Sequence, residues 1–466
     1  MPEDRTSRPL ELLLPVRRGS GTLRAQLERH LREAVRSGRL RPGSALPSSR
    51  VLAEQLEISR GVVVEAYDQL AAEGYLVARP GSATRVADAA LAGAAPARPA
   101  APSRPLRYDF RPGVPAVDTF PRSAWLASLR KTLKEAPHTA LGYGDARGQQ
   151  PLREALAAYL GRVRGVAADP ELVLVCSGFA QGTALVCRAL RRRGARRVAM
   201  EDPCHPGQRA IVVASDLKPV PVPVDDHGIR VDHLEAAGAE AVLVTPAHQF
   251  PTGTVLGPER RTALVEWAQR HQAVIVEDDY DAEYRYDREP IGAVQGLAPD
   301  RVVYAGSASK TLAPALRLGW LVLPAWLSGA VAEEKALDDL ASPALEQLAF
   351  TDLLAGGEVD RHLRRNRARY RSRRDALVAA LGAYAPQVRV RGIAAGLHVV
   401  AQLPPQAEEA TVVAAARSRS VGVYPMSDYR FGAGTRPAAL VLGYGGLGEP
   451  AIKQGVRLLA LAISGG

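Results

Sequence analysis

Residues 87–105 read ADAALAGAAPARPAAPSRP, an almost pure Ala/Pro run with little that could pack. Such a stretch cannot bury enough apolar surface to offset ordering, and its prolines favour extended polyproline geometry. The chain therefore has to fold separately on either side of it. The sequence predicts a small module at residues 16–87, a semi-rigid linker at 88–106 and a body at 107–466. Within the body we expect a large lobe at about 141–340 and a small lobe of about 107–140 plus 341–466.

Composition narrows the class. A chain of 466 residues, 47% hydrophobic and 23% charged, has the mix of a soluble globular protein. No apolar run approaches the ~20 residues of a membrane span, and the opening MPEDRTSRPL lacks a signal-peptide core. Cys176, Cys187 and Cys204 lie at neither metal-ligand nor disulfide spacing. The expectation is a cytoplasmic protein with no membrane partner and no metal. The formal net charge of +11 permits a polyanionic partner without establishing one. Of the 60 basic residues only six are lysines (Lys131, Lys134, Lys218, Lys310, Lys335 and Lys453), so any lysine chemistry has six candidates.

The module is legible in detail. Leu23, Leu27, Leu31 and Val35 recur at steps of four and predict an amphipathic helix that Gly38 ends. Pro47-Ser48-Ser49 supplies an N-cap for a second helix carrying Val51, Leu52 and Leu56. Ser59 caps a third, with Val63, Ala66, Tyr67 and Leu70 inward. Two short segments then flank Arg79-Pro80-Gly81-Ser82, a hairpin signal. Three helices and a hairpin make a winged helix-turn-helix, whose third helix would set Ser59, Arg60 and Gly61 against the bases of a major groove. A three-helix interaction module fits the same pattern. Charge separates the two only weakly, because residues 20–87 hold ten Arg against seven acids.

After the linker, short apolar runs alternate with helical stretches. Leu172–Cys176, Arg197–Met200, Val220–Val224, Ala241–Thr245, Ala273–Asp278, Val302–Gly306 and Leu318–Leu323 read as strands. Alternation with helices predicts a mostly parallel α/β sheet, whose ligands gather at the carboxyl ends of its strands. Three such ends carry chemistry. Ser307-Ala308-Ser309-Lys310, with Arg317 beyond it, could bind phosphate and form a Schiff base with an aldehyde cofactor. Glu277-Asp278-Asp279-Tyr280-Asp281 could put a carboxylate under a pyridine nitrogen and a phenol beside the ring oxygen; alone, it equally fits a solvated acidic loop. Cys176-Ser177-Gly178-Phe179-Ala180 leads into a helix whose N-terminus could hold a phosphate.

These segments carry a family resemblance. The run LRPGSALPSSRVLAEQLEISRGVVVEAYDQLAAEGYL resembles the DNA-binding domain of GntR-type repressors. That likeness implies that Arg50, Ser59 and Arg60 meet phosphates or base edges and that the wing around Gly81 approaches a minor groove. The three strand ends resemble class I aminotransferases, the fold type I enzymes that bind pyridoxal 5′-phosphate. Tyr143-Gly-Asp-x-x-Gly, Thr245-Pro-Ala-His-Gln-Phe-Pro-Thr-Gly253, Glu277-Asp-Asp-Tyr-Asp-Ala-Glu283 and Ser307-Ala-Ser-Lys310 make the whole chain resemble MocR-type (GabR-like) transcriptional regulators. The resemblance implies Lys310 as the aldimine lysine, Asp278 as partner of the pyridine nitrogen and Tyr280 at the phenolic oxygen. It assigns the phosphate cup to Gly178, Phe179, Ala180, Ser307, Ser309 and Arg317. It also implies a homodimer in which Tyr143 reaches the neighbouring subunit's phosphate.

Three positions depart from a working aminotransferase. Phe250 stands where the enzymes carry Asn, which the regulators share, and His205 stands where a Tyr usually stacks on the ring. An imidazole can still stack, so His205 counts among the cofactor residues. Val441 occupies the place of the Arg that grips a substrate carboxylate, and Arg430 is the substitute we expect for an effector carboxylate. The expectation is a DNA-binding regulator that senses pyridoxal phosphate, an amine or an amino acid through Lys310. An active aminotransferase carrying a DNA-binding domain is the alternative, and Val441 and Phe250 speak against it. Eight Arg between Arg361 and Arg374 give one helix a basic outer surface that either is solvated or touches DNA.

Overall fold

The computed structural model describes residue 16 and residues 21–78, 83–87, 106–286, 291–432 and 437–465. The linker, save its last residue, and the wing tip at Gly81 lie outside these residues. The chain divides into two compact units, Met1–Ser103 and Arg104–Gly466.

In the first unit, α1 (Leu23–Arg36), α2 (Ser49–Gln55) and α3 (Arg60–Ala72) precede a two-stranded ribbon of β1 (Leu76–Val77) and β2 (Arg85–Val86). Thr22 and Ser48 cap α1 and α2 by accepting from the amides of Ala25 and Val51. Leu27, Leu31, Leu52, Val63, Ala66 and Leu70 close one apolar core with Leu76 and Val86. One expectation needs correction. Ser59 occupies the N-cap position of α3, but its side chain makes no cap hydrogen bond. Val51 is exposed, because the short α2 turns only Leu52 and Ala53 fully inward.

The second unit opens with β3 (Tyr108–Asp109) and is built on β4 (Val173–Cys176), β5 (Arg197–Asp202), β6 (Lys218–Asp225), β7 (Gly228–Ile229), β8 (Ala241–Val244), β9 (Val274–Asp279), β10 (Val302–Ser307) and β11 (Gly319–Val322). Their order in the sheet is β4-β11-β10-β9-β8-β5-β6-β7. The central run from β10 to β6 is parallel, whereas β11 runs antiparallel to both neighbours and β7 to β6. Apolar clusters cover both faces, which is why the strands read as continuous Val/Ile/Leu runs rather than alternating ones.

A second sheet of β12 (Arg389–Arg391), β13 (His398–Gln402), β15 (Tyr424–Pro425) and β16 (Ala439–Gly443) is antiparallel. The segment β14 (Val421–Gly422) pairs in parallel with β3, tying the start of the unit to this region. The Arg-rich helix Glu358–Tyr384 buries Leu363, Tyr370 and Leu377 and exposes Arg361, Arg364, Arg365, Arg369 and Arg371. Among the described residues no helix is long and apolar enough to cross a membrane.

Candidate functional site

At the carboxyl ends of β9 and β10 lies a cavity of about 300 Å³. It brings together Phe179, Ala180, His205, Asp278, Tyr280, Ser307, Ser309, Lys310 and Arg317, which are distant in sequence. Gly178 abuts it through Arg317.

The acidic run at the end of β9 resolves by strand alternation. Glu277 accepts from the amides of Val294 and Gln295, and Asp279 pairs with buried Arg164 (2.7 Å) and the Tyr304 hydroxyl (2.7 Å), all away from the cavity. Asp278, one residue out of phase, lines the cavity, as does Tyr280. The solvated-loop alternative therefore fails, since Glu277, Asp278, Asp279 and Asp281 are all buried. Burial, reinforced by Asp279, holds the Asp278 carboxyl well above the usual carboxylate range, and the Gln208 amide donates to it at 2.8 Å. A desolvated acid of this kind gains most from a cationic N–H placed against it.

Lys310 sits in the short helix Ala308–Thr311 that β10 runs into, and its Nζ donates to the Gly113 carbonyl at 2.6 Å. Burial lowers its pKa against the opposing pull of Asp278 and Asp281, which raises the share of neutral, nucleophilic amine. Gly113 has φ +73°, and a Cβ there would lie 3.3 Å from Nζ, so the backbone approaches the amine closely.

Gly178, Arg317, Ser307 and Ser309 build the neighbouring polar corner. Gly178 has φ +84° and opens the helix Phe179–Arg192, whose first-turn amides form an anion-binding end. A Cβ on Gly178 would lie 3.2 Å from the Arg317 guanidinium, which donates to the Ser177 carbonyl. The Ser307 hydroxyl caps the next helix by accepting from the Ser309 amide at 3.4 Å. A phosphate fits this combination of helix end, guanidinium and hydroxyls.

The opposite side of the cavity is aromatic and apolar. Phe250 lies 5.7 Å from the His205 ring, 6.1 Å from Tyr280 and 5.3 Å from Tyr429, and it packs on a cluster of Val400, Met426, Tyr429, Ala439 and Val441. Val441 is wholly buried in β16. Burial, together with Lys310 and Arg209, lowers the His205 pKa, and His205 Nδ1 accepts from the Gly207 amide at 3.0 Å. Arg430 is not brought to the cavity lining: its guanidinium donates to the Pro437 carbonyl at 3.3 Å. Tyr143 is 95% exposed and lines a separate surface concavity with Leu340 and Ser342.

In the first unit Arg50, Ser59, Arg60 and Gly61 are exposed at the N-terminal ends of α2 and α3. Arg60 Nε donates to the Ser49 hydroxyl at 3.3 Å, joining those two ends. Gly81 lies outside the described residues.

Sequence reasoning missed Gln208 and Gly113, which bond to the two central groups. Neither belongs to a motif, and each reaches its partner across a long separation in the chain. It also left His248 without a role. His248, Asp281 and His398 bring one ligand atom each within 4.8 Å of one another, all buried.

Comparison with known proteins gives this arrangement its class. Residues 114–437 match the family of class I and II aminotransferases, and residues 23–86 match the bacterial regulatory proteins of the gntR family. The chain belongs to the gntR-type transcriptional regulators that carry a class I and II aminotransferase domain. It is 34% identical over 450 residues to the uncharacterized HTH-type transcriptional regulator YdeL of Bacillus subtilis, covering 94% of this chain and 96% of that one. It is also 34% identical over 443 residues to the pyridoxine biosynthesis transcriptional regulator PdxR of Corynebacterium glutamicum, covering 94% and 95%. Among solved structures, LysN of Thermus thermophilus, an α-aminoadipate aminotransferase complexed with N-(5′-phosphopyridoxyl)-L-leucine, superposes with a TM-score of 0.69 at 27% identity over 77% of this chain and 92% of LysN. Pyridoxal 5′-phosphate is thus the cofactor of this fold, and the amine, buried acid and anion corner fit it.

Proposed function

We propose that the protein is a cytoplasmic, homodimeric regulator whose body binds pyridoxal 5′-phosphate at Lys310 and adjusts operator binding by the winged helix. The observation that carries this reading is one cavity holding Lys310, Asp278 and Arg317 in a chain that also has a gntR-type module. When bound, pyridoxal phosphate supplies an aldehyde for the lysine and a ring that draws electrons. The chain's own residues do the rest. Lys310 provides the neutral amine, Asp278 keeps a proton on the ring nitrogen, and Gln208 fixes the Asp278 carboxyl. Ser307, Ser309, Arg317 and the helix end after Gly178 bind the phosphate, with Phe179 and Ala180 at its rim and His205 against the ring face. Tyr143 would serve the partner subunit's phosphate.

The effector is pyridoxal phosphate itself, or an amine or amino acid that competes for its aldehyde. Arg430 would answer an effector carboxylate only after leaving the Pro437 carbonyl. On DNA, Ser59, Arg60 and Gly61 at the start of α3 lie nearest the bases, Arg50, Ser59 and Arg60 meet phosphates or base edges, and the wing around Gly81 approaches a minor groove. A ligand biases that binding only through different affinities for two states of the body, typically worth ~1–3 kcal/mol.

Purified protein is expected to be yellow, and Lys310→Ala to abolish the colour together with the cofactor's effect on operator affinity in a fluorescence-anisotropy titration. A wild-type chain that stays colourless with excess pyridoxal phosphate defeats the cofactor assignment. Sustained turnover of amino donor and keto acceptor defeats the regulator-only reading.

A further inference from the structure

His248 is 3% exposed, and its Nδ1 lies 3.0 Å from Asp281 Oδ2 and 3.1 Å from the Tyr280 hydroxyl. The Tyr280 hydroxyl also lies 3.0 Å from the His248 carbonyl, to which it can donate. Packing holds the group in place: a Cβ on Gly396 would fall 2.2 Å from His248 Cε1 and 2.5 Å from Asp281 Oδ2. The His398 ring lies 5.1 Å from that of His248, with its Nε2 3.0 Å from the Pro251 carbonyl. Burial pushes His398 down to about 3, so it stays neutral and adds no charge to the pair.

These contacts restrict the protons. A carboxylate only accepts, so the imidazole nitrogen facing Asp281 carries the hydrogen. The same N–H reaches the Tyr280 oxygen, which then accepts and must donate its own proton elsewhere. Three acceptors suit that proton: the Asp281 carboxylate, the His248 carbonyl and an oxygen on a ring seated in the cavity that Tyr280 lines. Phe250, on the same side, offers no side-chain donor. We propose that His248, oriented by Asp281, is a positioning residue that presents the Tyr280 hydroxyl as hydrogen-bond donor to the phenolic oxygen of pyridoxal phosphate. The proposal rests on the cofactor reading above.

A hydrogen bond donated to the phenolic oxygen favours its ionised form, so the bound chromophore loses its proton at lower pH. The test is a spectrophotometric pH titration of full-length protein reconstituted with pyridoxal phosphate. Tyr280→Phe is expected to raise the midpoint of the colour change by about one pH unit. His248→Phe should raise it in the same direction by a smaller amount, and His248→Gln, which keeps an N–H, should recover part of the shift. The double variant Tyr280→Phe/His248→Phe should titrate like Tyr280→Phe alone, because the second change acts through the first. If His248→Phe fails to fold, His248→Gln, alone and combined with Tyr280→Phe, still decides. Cofactor-bound His248 variants with the wild-type midpoint, or shifts that add fully to that of Tyr280→Phe, overturn the proposal. A Tyr280→Phe midpoint equal to wild type overturns it as well. A wild-type chain that never colours defeats the cofactor reading, and this inference falls with it.

Discussion

Asp278 is 7% exposed and Val441 fully buried, yet burial acts in opposite senses at the two positions. Around Asp278 the chain keeps groups costly to desolvate: the acid itself, Lys310, and the Arg317 corner beyond them. Each has a partner in the protein and gains further when an oppositely disposed ligand group arrives. Around Val441 the cluster is apolar among the described residues, and Phe250, Met426 and Tyr429 fill the space with contacts complete without a ligand, with Arg111 held outside it by the Tyr424 hydroxyl. One side of the site is thus built to be finished by a cofactor, and the other is already finished. A body of this kind can hold pyridoxal phosphate with an apolar side chain, Val441, at the place in β16 where the resemblance to aminotransferases sets a carboxylate-gripping Arg.

The largest expected effect comes from forcing the second side to resemble the first. Val441→Arg would bury a guanidinium in an apolar cluster and should destabilise the body by about 3–5 kcal/mol, read as a lower urea midpoint. A variant as stable as wild type that also responds to amino-acid carboxylates would break the contrast. The next effect removes the charge from the first side. Asp278→Asn keeps the Gln208 contact within reach but cannot hold a proton on the ring nitrogen. It should weaken pyridoxal phosphate binding roughly a hundredfold, about 2.7 kcal/mol, while the urea midpoint of the cofactor-free protein holds or rises, because a buried acid with a raised pKa is removed. Unchanged affinity would show that the acid belongs to the fold rather than to the ligand.

The two sides were not equally legible in the sequence. The polar side follows from local rules, because strand ends that run into helices place Lys310 and Gly178 whatever the rest of the chain does. Alternation along β9 also separates Asp278 from Glu277 and Asp279, although the run by itself left a solvated loop open. Gln208 and Gly113 were hidden because their partners lie far along the chain and no spacing rule joins them. The apolar side was visible only as a departure: Val441 and Phe250 marked what was missing, while the cluster they form needs β16, the Phe250 loop and Tyr429 assembled. Arg430, expected from its likeness to the regulators' loop, donates to the Pro437 carbonyl and is not among the cavity's lining residues, a contact that no sequence spacing foretells. In the module, helix periodicity found the core, whereas the Ser59 cap failed because position alone does not set a hydroxyl's direction.

The smallest expected effect tests how the apolar side is held. Phe250 rides on a loop whose Thr245 amide and hydroxyl and Gln249 amide all donate to one oxygen of Glu201, at 3.1, 2.6 and 3.2 Å. Burial pushes the Glu201 carboxyl up to about 7 despite those donors. A carboxyl whose folded pKa lies above its unfolded value binds more protons in the folded state, so its contribution to stability falls as pH rises from about 4.5 to about 7. Glu201→Gln has nothing to ionise, and its carbonyl oxygen can accept from the same donors. Relative to wild type it should be close to neutral at pH 4.5 and gain on the order of 2 kcal/mol at pH 8, less than the full shift implies because a neutral acceptor bonds more weakly than a carboxylate. Glu277 and Glu283 are also pushed up to about 7, so wild type alone would blur the three acids and the difference between variant and wild type isolates this one. Paired urea titrations at the two pH values read that difference. A variant that loses stability at pH 8 would mean that the ionised acid, held by its three donors, fastens the Phe250 loop more tightly than burial penalises it, and that the apolar side depends on a charge after all.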